Sequence, residues 1–417
     1  MRVIVIGAGI VGLTTAWWLA RDGHAVTVVD RSRQVGRGTS FANGGQLSYS
    51  YVAPLAAPSV WRNLPKYLFS PASPVRFVPQ ADPAQWRWAF TFLRACNADT
   101  SALTTAQLLA LSFFSRDSLA SMMAETPLTF DHARNGKLVV LSSSAAMAEA
   151  EAQMHLQANF GCEQHALTAA ECLALEPGLE SIAHRLVGGI HTPSEEVGDC
   201  RKLCEALQGI LATPPFDVRF ALGVTVEKIE RSGTKIQALR TDLGEMDADL
   251  YVMCAGHGST ALGRTAGGSL PIQPMRGYSI SPRVKDSNRG PVCSITDSAR
   301  STVYAPIGET LRVAGFAELG GDDTNIPADR ISSLVAEVST LFPGACELDD
   351  VQPWCGLRPM TPTCLPVIGF TRASNLAVNV GQGKLGFTLA AGSARLLADL
   401  LAGRQTAIDA EPFRPTN

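Results

Sequence analysis

The chain has 417 residues, 46% of them hydrophobic and 18% charged, with a formal net charge of −3. That length allows two to three domain-sized units with a cleft between them. No block of five Lys or Arg occurs, which argues against nucleic acid or another polyanion as partner and leaves no strongly acidic tail.

The first twenty residues imitate a secretory leader: Met1-Arg2, then an apolar run to Ala20. Gly7, Gly9, Gly12, Thr14 and Thr15 interrupt that run and give it a better explanation. Residues 3–6 (VIVI) read as a buried parallel strand. The strand enters Gly7-Ala8-Gly9-Ile10-Val11-Gly12, a GxGxxG, followed by a helix over 11–21 with Gly23 as its cap. Residues 25–29 form a second strand ending in Asp30. Gly7 permits the tight turn, Gly9 lets the backbone approach a pyrophosphate, and Gly12 lets helix and strand pack closely. The helix start at Ile10 and Val11 offers free N–H groups to phosphates. Asp30 stands where an acid accepts hydrogen bonds from ribose hydroxyls. The motif marks a dinucleotide site without separating FAD from NAD, although the acid disfavours NADP.

Residues 36–50 (GRGTSFANGGQLSYS) form a loop of small and polar residues whose backbone can approach a flat ligand. Residues 51–95 are aromatic and proline-rich, broken into short pieces. Trp61, Tyr67, Phe69, Trp86 and Trp88 stand there among Arg62, Lys66, Arg76 and Arg87. Such a mixture either docks peripherally on a bilayer surface or packs between domains. Helices are expected over 101–125 and 144–160, and a strand over 137–141. Strands at 224–229, 236–240 and 249–254 read as a β-meander whose last member returns to the cofactor at Ala255-Gly256. Residues 271–320 are strand-like, 327–342 helical with Leu334, Val338 and Leu341 on one face. A strand at 376–380 runs into Gly381-Gln382-Gly383-Lys384-Leu385-Gly386 and a helix over 387–401, with Gly403 as a cap. That second helix start can stabilise the negative charge a flavin gains on reduction.

Ten cysteines are present, none in CxxC. Cys200 and Cys204 could share a helix face, but no histidine clusters with them, so no metal is expected. Reduced thiols in a cytoplasmic protein are the expectation.

The start VIVIGAGIVGLTTAWWLA, TSFANGGQLS at 39–48, GGIHTPSEEVGDC at 188–200, PMRGYSI at 274–280, GLRPMTP at 356–362 and NVGQGKLGFTLAAGSARLLADLL at 379–401 together resemble the D-amino-acid oxidase superfamily of flavoproteins, and within it the bacterial D-amino acid dehydrogenases. The likeness spans essentially the whole chain. It implies an α/β fold: a Rossmann-like FAD domain from 1–48, 150–268 and 353–417, and an α+β substrate domain with an antiparallel sheet from 49–149 and 269–352. It implies non-covalent FAD and electron delivery to a quinone or respiratory chain rather than to oxygen. Asp30 and Arg31 would serve the adenosine, and Ser40, Asn43, Gly44, Gly45 and Gln46 would lie along the flavin. Gly381, Gly383, Lys384, Leu385, Gly386, Phe387 and Thr388 would lie at its pyrimidine end, with Val226, Ala255 and Gly256 completing the set.

Arg358 matches the family's substrate-carboxylate anchor, a task a guanidinium fork performs bidentately. Arg276 and Tyr278 match a second pocket segment, and Tyr304 is a further candidate. The chain departs from the family at Thr361-Pro362-Thr363, where an acid often follows the proline. Some sarcosine-oxidising relatives attach flavin through a cysteine at a position matching Gly356. Cys355 is one residue away, on the opposite strand face, so no covalent link is expected. The implied reaction is oxidative deamination of a D-amino acid to a 2-oxo acid and ammonia, by hydride loss from Cα to flavin N5. Rival readings are a D-proline or D-hydroxyproline dehydrogenase, a glycine or sarcosine oxidase, an NAD-dependent dehydrogenase, and a flavin-binding electron-transfer subunit without a substrate of its own. Among the seven histidines only His257, after the Ala255-Gly256 turn, stands near the site, and a loop role suits it best.

Overall fold

The computed structural model describes residues 1–70 and 73–415, so the last two residues of the 353–417 stretch lie outside it. Two sheets organise the chain. The first has six strands in the order Val367–Phe370, Leu376–Val380, Leu250–Met253, Arg2–Ile6, Ala25–Asp30 and Arg219–Leu222. All neighbours are parallel except the Val367–Phe370 edge. Its central strands are apolar on both faces, as a sheet covered on both sides requires. Helices Ile10–Arg21, Cys200–Leu211, Ala98–Glu125 and Gly386–Leu401 cover one face. The antiparallel meander Val226–Ser232, Lys235–Thr241 and Gly244–Met246 covers the other.

The second sheet has nine strands and is mostly antiparallel. Its path runs Trp354–Met360, Gln273–Ile280, Thr310–Leu319, Thr302–Ile307, Ser294–Asp297, Lys137–Leu141, Gly188–Thr192 and His165–Thr168, with Val75–Phe77 added beside Thr310–Leu319. Helix Ala328–Leu341 and the 3-10 segment Pro177–Arg185 bury one face through Leu334, Val338, Leu341, Leu179 and Ile182. The opposite face looks toward the six-stranded sheet.

Three expectations change. Strands within 165–192 and at 354–360 belong to the large sheet, not to the dinucleotide unit; a strand's own pattern does not say which sheet it will join. Helix Ala98–Glu125, expected in the substrate domain, packs with the dinucleotide unit's helices. Ser115 explains the contact: its Oγ donates to Thr388 O at 2.6 Å and accepts from Gly392 N at 2.9 Å, and a Cβ at Gly392 would sit 2.6 Å from the Ser115 Cα. The 51–95 stretch holds two helices, Ser59–Phe69 and Pro83–Ala95. Pro83 occupies a first-turn position, where its missing N–H costs nothing, and the Asp82 side chain accepts from Ala84 N at 2.9 Å.

Candidate functional site

A cavity of about 940 Å³ separates the C-terminal ends of the parallel strands from the inner face of the large sheet, the usual ligand position for an open α/β sheet. Its volume is near the top of the range of about 300–1,000 Å³ for small-molecule sites, as a large ligand demands.

Gly7 begins the wall at φ +115°, where a Cβ would lie 2.5 Å from Cys254 O. At Gly12 a Cβ would lie 1.8 Å from Gly7 O, so the helix can approach its strand only with glycine there. Gly12 itself does not line the cavity; Gly9, Ile10 and Val11 do. Gly9 provides no side-chain cap and the first turn holds no acid, so, with only Ile10 N taken by Ser40 Oγ, the start stays electropositive toward a phosphate. Asp30 accepts from Ala8 N and Ser32 N, each at 2.7 Å. Two such bonds leave carboxylate lone pairs for further donors. Arg31, Val226, Ala255 and Gly256 border the same end, and a Cβ at Gly256 would meet nothing within 4 Å. His257 lines this end beside Arg31, and burial holds its imidazole below the usual range.

The 39–48 loop is fastened from both sheets rather than free. Ser40 Oγ accepts from Ile10 N at 3.0 Å, and Thr39 Oγ1 donates to Leu357 O at 2.7 Å. Ser279 Oγ donates to Ala42 O at 2.7 Å, and Arg312 Nη1 to Asn43 O at 2.7 Å. Asn43 Oδ1 accepts from Gly45 N at 3.0 Å, and Gln46–Leu47 pairs with Glu196–Val197. The 188–200 motif thereby holds the loop in place, and its Asp199 caps the following helix through Arg201 N and Lys202 N. Ser40, Asn43, Gly44, Gly45 and Gln46 all line the cavity.

Lys384, Leu385, Gly386, Phe387 and Thr388 close the opposite end, with Gly383 beside them. Helix Gly386–Leu401 starts there without a side-chain cap or an acid in its first turn, and the space beside Gly386 is open. Gly381 stands off the cavity; its φ of +81° makes the turn out of strand Leu376–Val380.

Arg358 projects into the cavity from strand Trp354–Met360. Its guanidinium lies across Gly277 on the neighbouring strand, where a Cβ would stand 2.2 Å from Nη2. Nη1 donates to Phe316 O at 2.9 Å. That carbonyl is turned toward it by a β-bulge: the pairing register shifts between Arg276 and Tyr278, and Phe316 takes φ +64°. Among the described residues no carboxylate lies within 4.0 Å of Arg358; burial lowers its pKa, and a guanidinium in a protein keeps its charge. This is a preoriented, uncompensated fork facing a cavity.

Arg276 and Tyr304 are not in the cavity wall. Along strand Gln273–Ile280, Met275, Gly277 and Ser279 face the cavity, so by strand alternation Arg276 faces away. It bonds Asp323 at 2.8 Å. Tyr278 borders the cavity, yet its hydroxyl donates to buried Glu318 at 2.9 Å. Arg330 completes that network with Nη2 on Glu318 at 2.7 Å. Tyr304 is buried with its hydroxyl on Glu337 at 3.0 Å. Burial and these carboxylates drive both phenols well upward, so the two tyrosines tie the sheet to helix Ala328–Leu341, Tyr278 through Glu318 and Arg330 and Tyr304 through Glu337.

Sequence reasoning passed over Gly277, Phe316, Trp354, Tyr51 and Lys137, which also line the cavity. Gly277 was legible in PMRGYSI as a glycine inside a strand, a mark of close approach. Nothing in the Lys137-Leu138-Val139-Val140-Leu141 run signals that Lys137 is 1% exposed.

The donor set fits FAD: a helix start without an acid in its first turn at each end of the cavity, a fastened glycine loop between them, and an acid at the adenosine end. A family model described as DAO, FAD dependent oxidoreductase, matches residues 2–400. The chain is 46% identical over 99% of both chains to D-amino acid dehydrogenase 2 of Ralstonia nicotianae. It is 36% identical to the D-amino acid dehydrogenase of Phenylobacterium zucineum, covering 98% of this chain and 96% of that one. Among solved structures, glycine oxidase from Geobacillus kaustophilus superposes with a TM-score of 0.79 at 21% identity, covering 100% of this chain and 98% of that one, a likeness of fold.

Proposed function

The chain belongs to the DAO family of FAD-dependent oxidoreductases, and from that premise we propose that it oxidises D-amino acids to imines, which water converts to 2-oxo acids and ammonia. The uncompensated Arg358 fork carries this reading. A bidentate pair with the substrate carboxylate fixes two atoms of the amino acid and leaves Cα one bond away. FAD, when bound, supplies the acceptor for the hydride leaving Cα. Gly277 gives the guanidinium its room, and Phe316 O fixes the plane of the fork, so the substrate arrives oriented rather than tethered. Met275, Trp354, Phe316 and Tyr51 at this end exclude water from the reacting carbon. The start of helix Gly386–Leu401 favours negative charge developing nearby. No side chain need act as base if the amine binds neutral and its lone pair assists hydride loss.

Non-covalent attachment is supported by Cys355, which is absent from the cavity wall while Gly356 lines it. Cys254, the one cysteine among the described lining residues, turns its thiol to Thr15 Oγ1 at 3.8 Å. A quinone or another respiratory acceptor, approached from the inner face of the cytoplasmic membrane, is the electron sink of this reading. Helix Ser59–Phe69 supports surface contact by exposing Trp61 and Phe69 beside Arg62 and Lys66. Among the described residues no helix is long and apolar enough to cross a membrane.

The test is anaerobic addition of D-alanine, D-proline, sarcosine and L-alanine to the yellow protein. Bleaching by D-alanine is expected, with loss of bleaching in Arg358→Met. Bleaching by cyclic amines alone would replace the reading with a D-proline-type dehydrogenase.

A further inference from the structure

One guanidinium suffices to hold an α-carboxylate, yet two more cations stand at the same end of the cavity. Lys384 is brought beside Arg358 by the backbone: Met360 and Gln382 form an isolated antiparallel bridge, and Gly383 packs on the Met360 side chain, where a Cβ would lie 2.7 Å from Sδ. Its Nζ donates to Ala53 O at 2.9 Å, and among the described residues it has no carboxylate within 4.0 Å. Two ammonium protons remain for a ligand.

Lys137 enters from the large sheet. Its Nζ donates to Gln46 Oε1 at 3.1 Å and to Ser48 Oγ at 3.0 Å, and stands 4.0 Å from the centroid of the Tyr51 ring. Ser48 N donates to Thr388 Oγ1 at 3.1 Å, so this cradle is tied to the segment that carries Lys384. The acid nearest Lys137 is Glu195, buried, bonded to Ser50 N at 2.6 Å and outside ion-pair distance of the lysine. Burial pushes the Lys137 ammonium downward, with repulsion from Lys384 added. Buried Lys137 is costly without a counter-charge, and exposed Lys384 at the same end keeps donors free for an anion.

We infer that Lys137 and Lys384 form a second anion subsite, so that the D-amino acid this enzyme takes carries a side-chain carboxylate. This rests on the D-amino acid reading above. Arg358 takes the α-carboxylate, and the two ammonium groups take the distal one. An acidic side chain is selected because a neutral one of equal length leaves the cations unpaired.

The test separates binding from turnover. Dissociation constants of glutarate and butyrate are measured on the holoprotein by calorimetry, and the concentrations of D-glutamate and D-glutamine that half-reduce the flavin are measured anaerobically. Glutarate is expected to bind at least about tenfold more tightly than butyrate, with D-glutamate preferred over D-glutamine by a similar factor. Lys384→Met, which removes no buried contact, is expected to collapse the glutarate-to-butyrate ratio toward one. Lys137→Met is made together with Glu195→Gln, so that a buried unpaired acid does not unfold the protein, and is expected to do the same. Equal affinity for the two acids, or a ratio untouched by Lys384→Met, overturns the subsite. A high ratio with no reduction by any D-amino acid retains the subsite and overturns the oxidation reading instead.

Discussion

Gly277→Ala isolates the placement of Arg358 from its charge. The added methyl would lie 2.2 Å from Nη2, 2.4 Å from Cζ and 2.5 Å from Nη1, so the guanidinium must retreat by about 1.2 Å to regain an ordinary 3.4 Å contact. It cannot do so and keep the 2.9 Å bond to Phe316 O. A misplacement of about 1 Å costs roughly a hundredfold in rate, or about 2.7 kcal/mol of transition-state stabilisation. Overpacking adds about 1–3 kcal/mol of instability, which thermal melting measures separately. The decisive assay is kcat/KM for the best amino acid against the melting temperature. A hundredfold loss with a folded, yellow protein is the expected result, with Arg358 still present and charged. Wild-type kcat/KM in folded Gly277→Ala would refute the argument that the fork works through its fixed position.

Gly12→Ala should fold poorly or lose flavin, because its Cβ would lie 1.8 Å from Gly7 O and 2.9 Å from Gly7 C; retention of flavin after exhaustive dialysis, at wild-type affinity, would contradict the close-packing account. Glu195 has its pKa raised by burial to about 7, so the folded state holds its proton above the usual carboxylate range. Relative to Glu195→Gln, the wild type is therefore most stable below about pH 4.5 and loses stability as pH rises to about 7. Melting temperatures of the pair across that window check it, and a wild type that gains on Glu195→Gln as pH rises opposes it. Acid precipitation should release all the yellow colour to the supernatant, since Cys355 does not line the cavity; flavin remaining on the pellet would require a covalent link.

The dinucleotide unit was legible because it is local. Glycines with fixed steric tasks, a strand before and after, and an acid at the next strand end all lie within 3–30, and near neighbours in sequence are forced to be neighbours in space. The 39–48 and 379–388 segments were legible as motifs for the same reason, and both line the cavity. Which face a side chain takes was not local. Arg276 and Tyr278 share a motif with Gly277, but a β-bulge and the strand's alternation turn Gly277 toward the cavity and hand the other two to Glu318, Asp323 and Arg330. Strands 165–168 and 188–192 carry no mark of the sheet they join, because pairing partners are chosen by long-range contacts. Lys137 stayed hidden altogether: it opens an ordinary strand, and only the meeting of that strand with Gln46 and Ser48, about ninety residues away in sequence, buries its charge in the cavity wall. Spacing determined a dinucleotide site and the longer motifs carried the resemblance that implied FAD; the packing of two sheets decided which cations line the cavity, since burial of a charge depends on everything around it and not on its place in the chain.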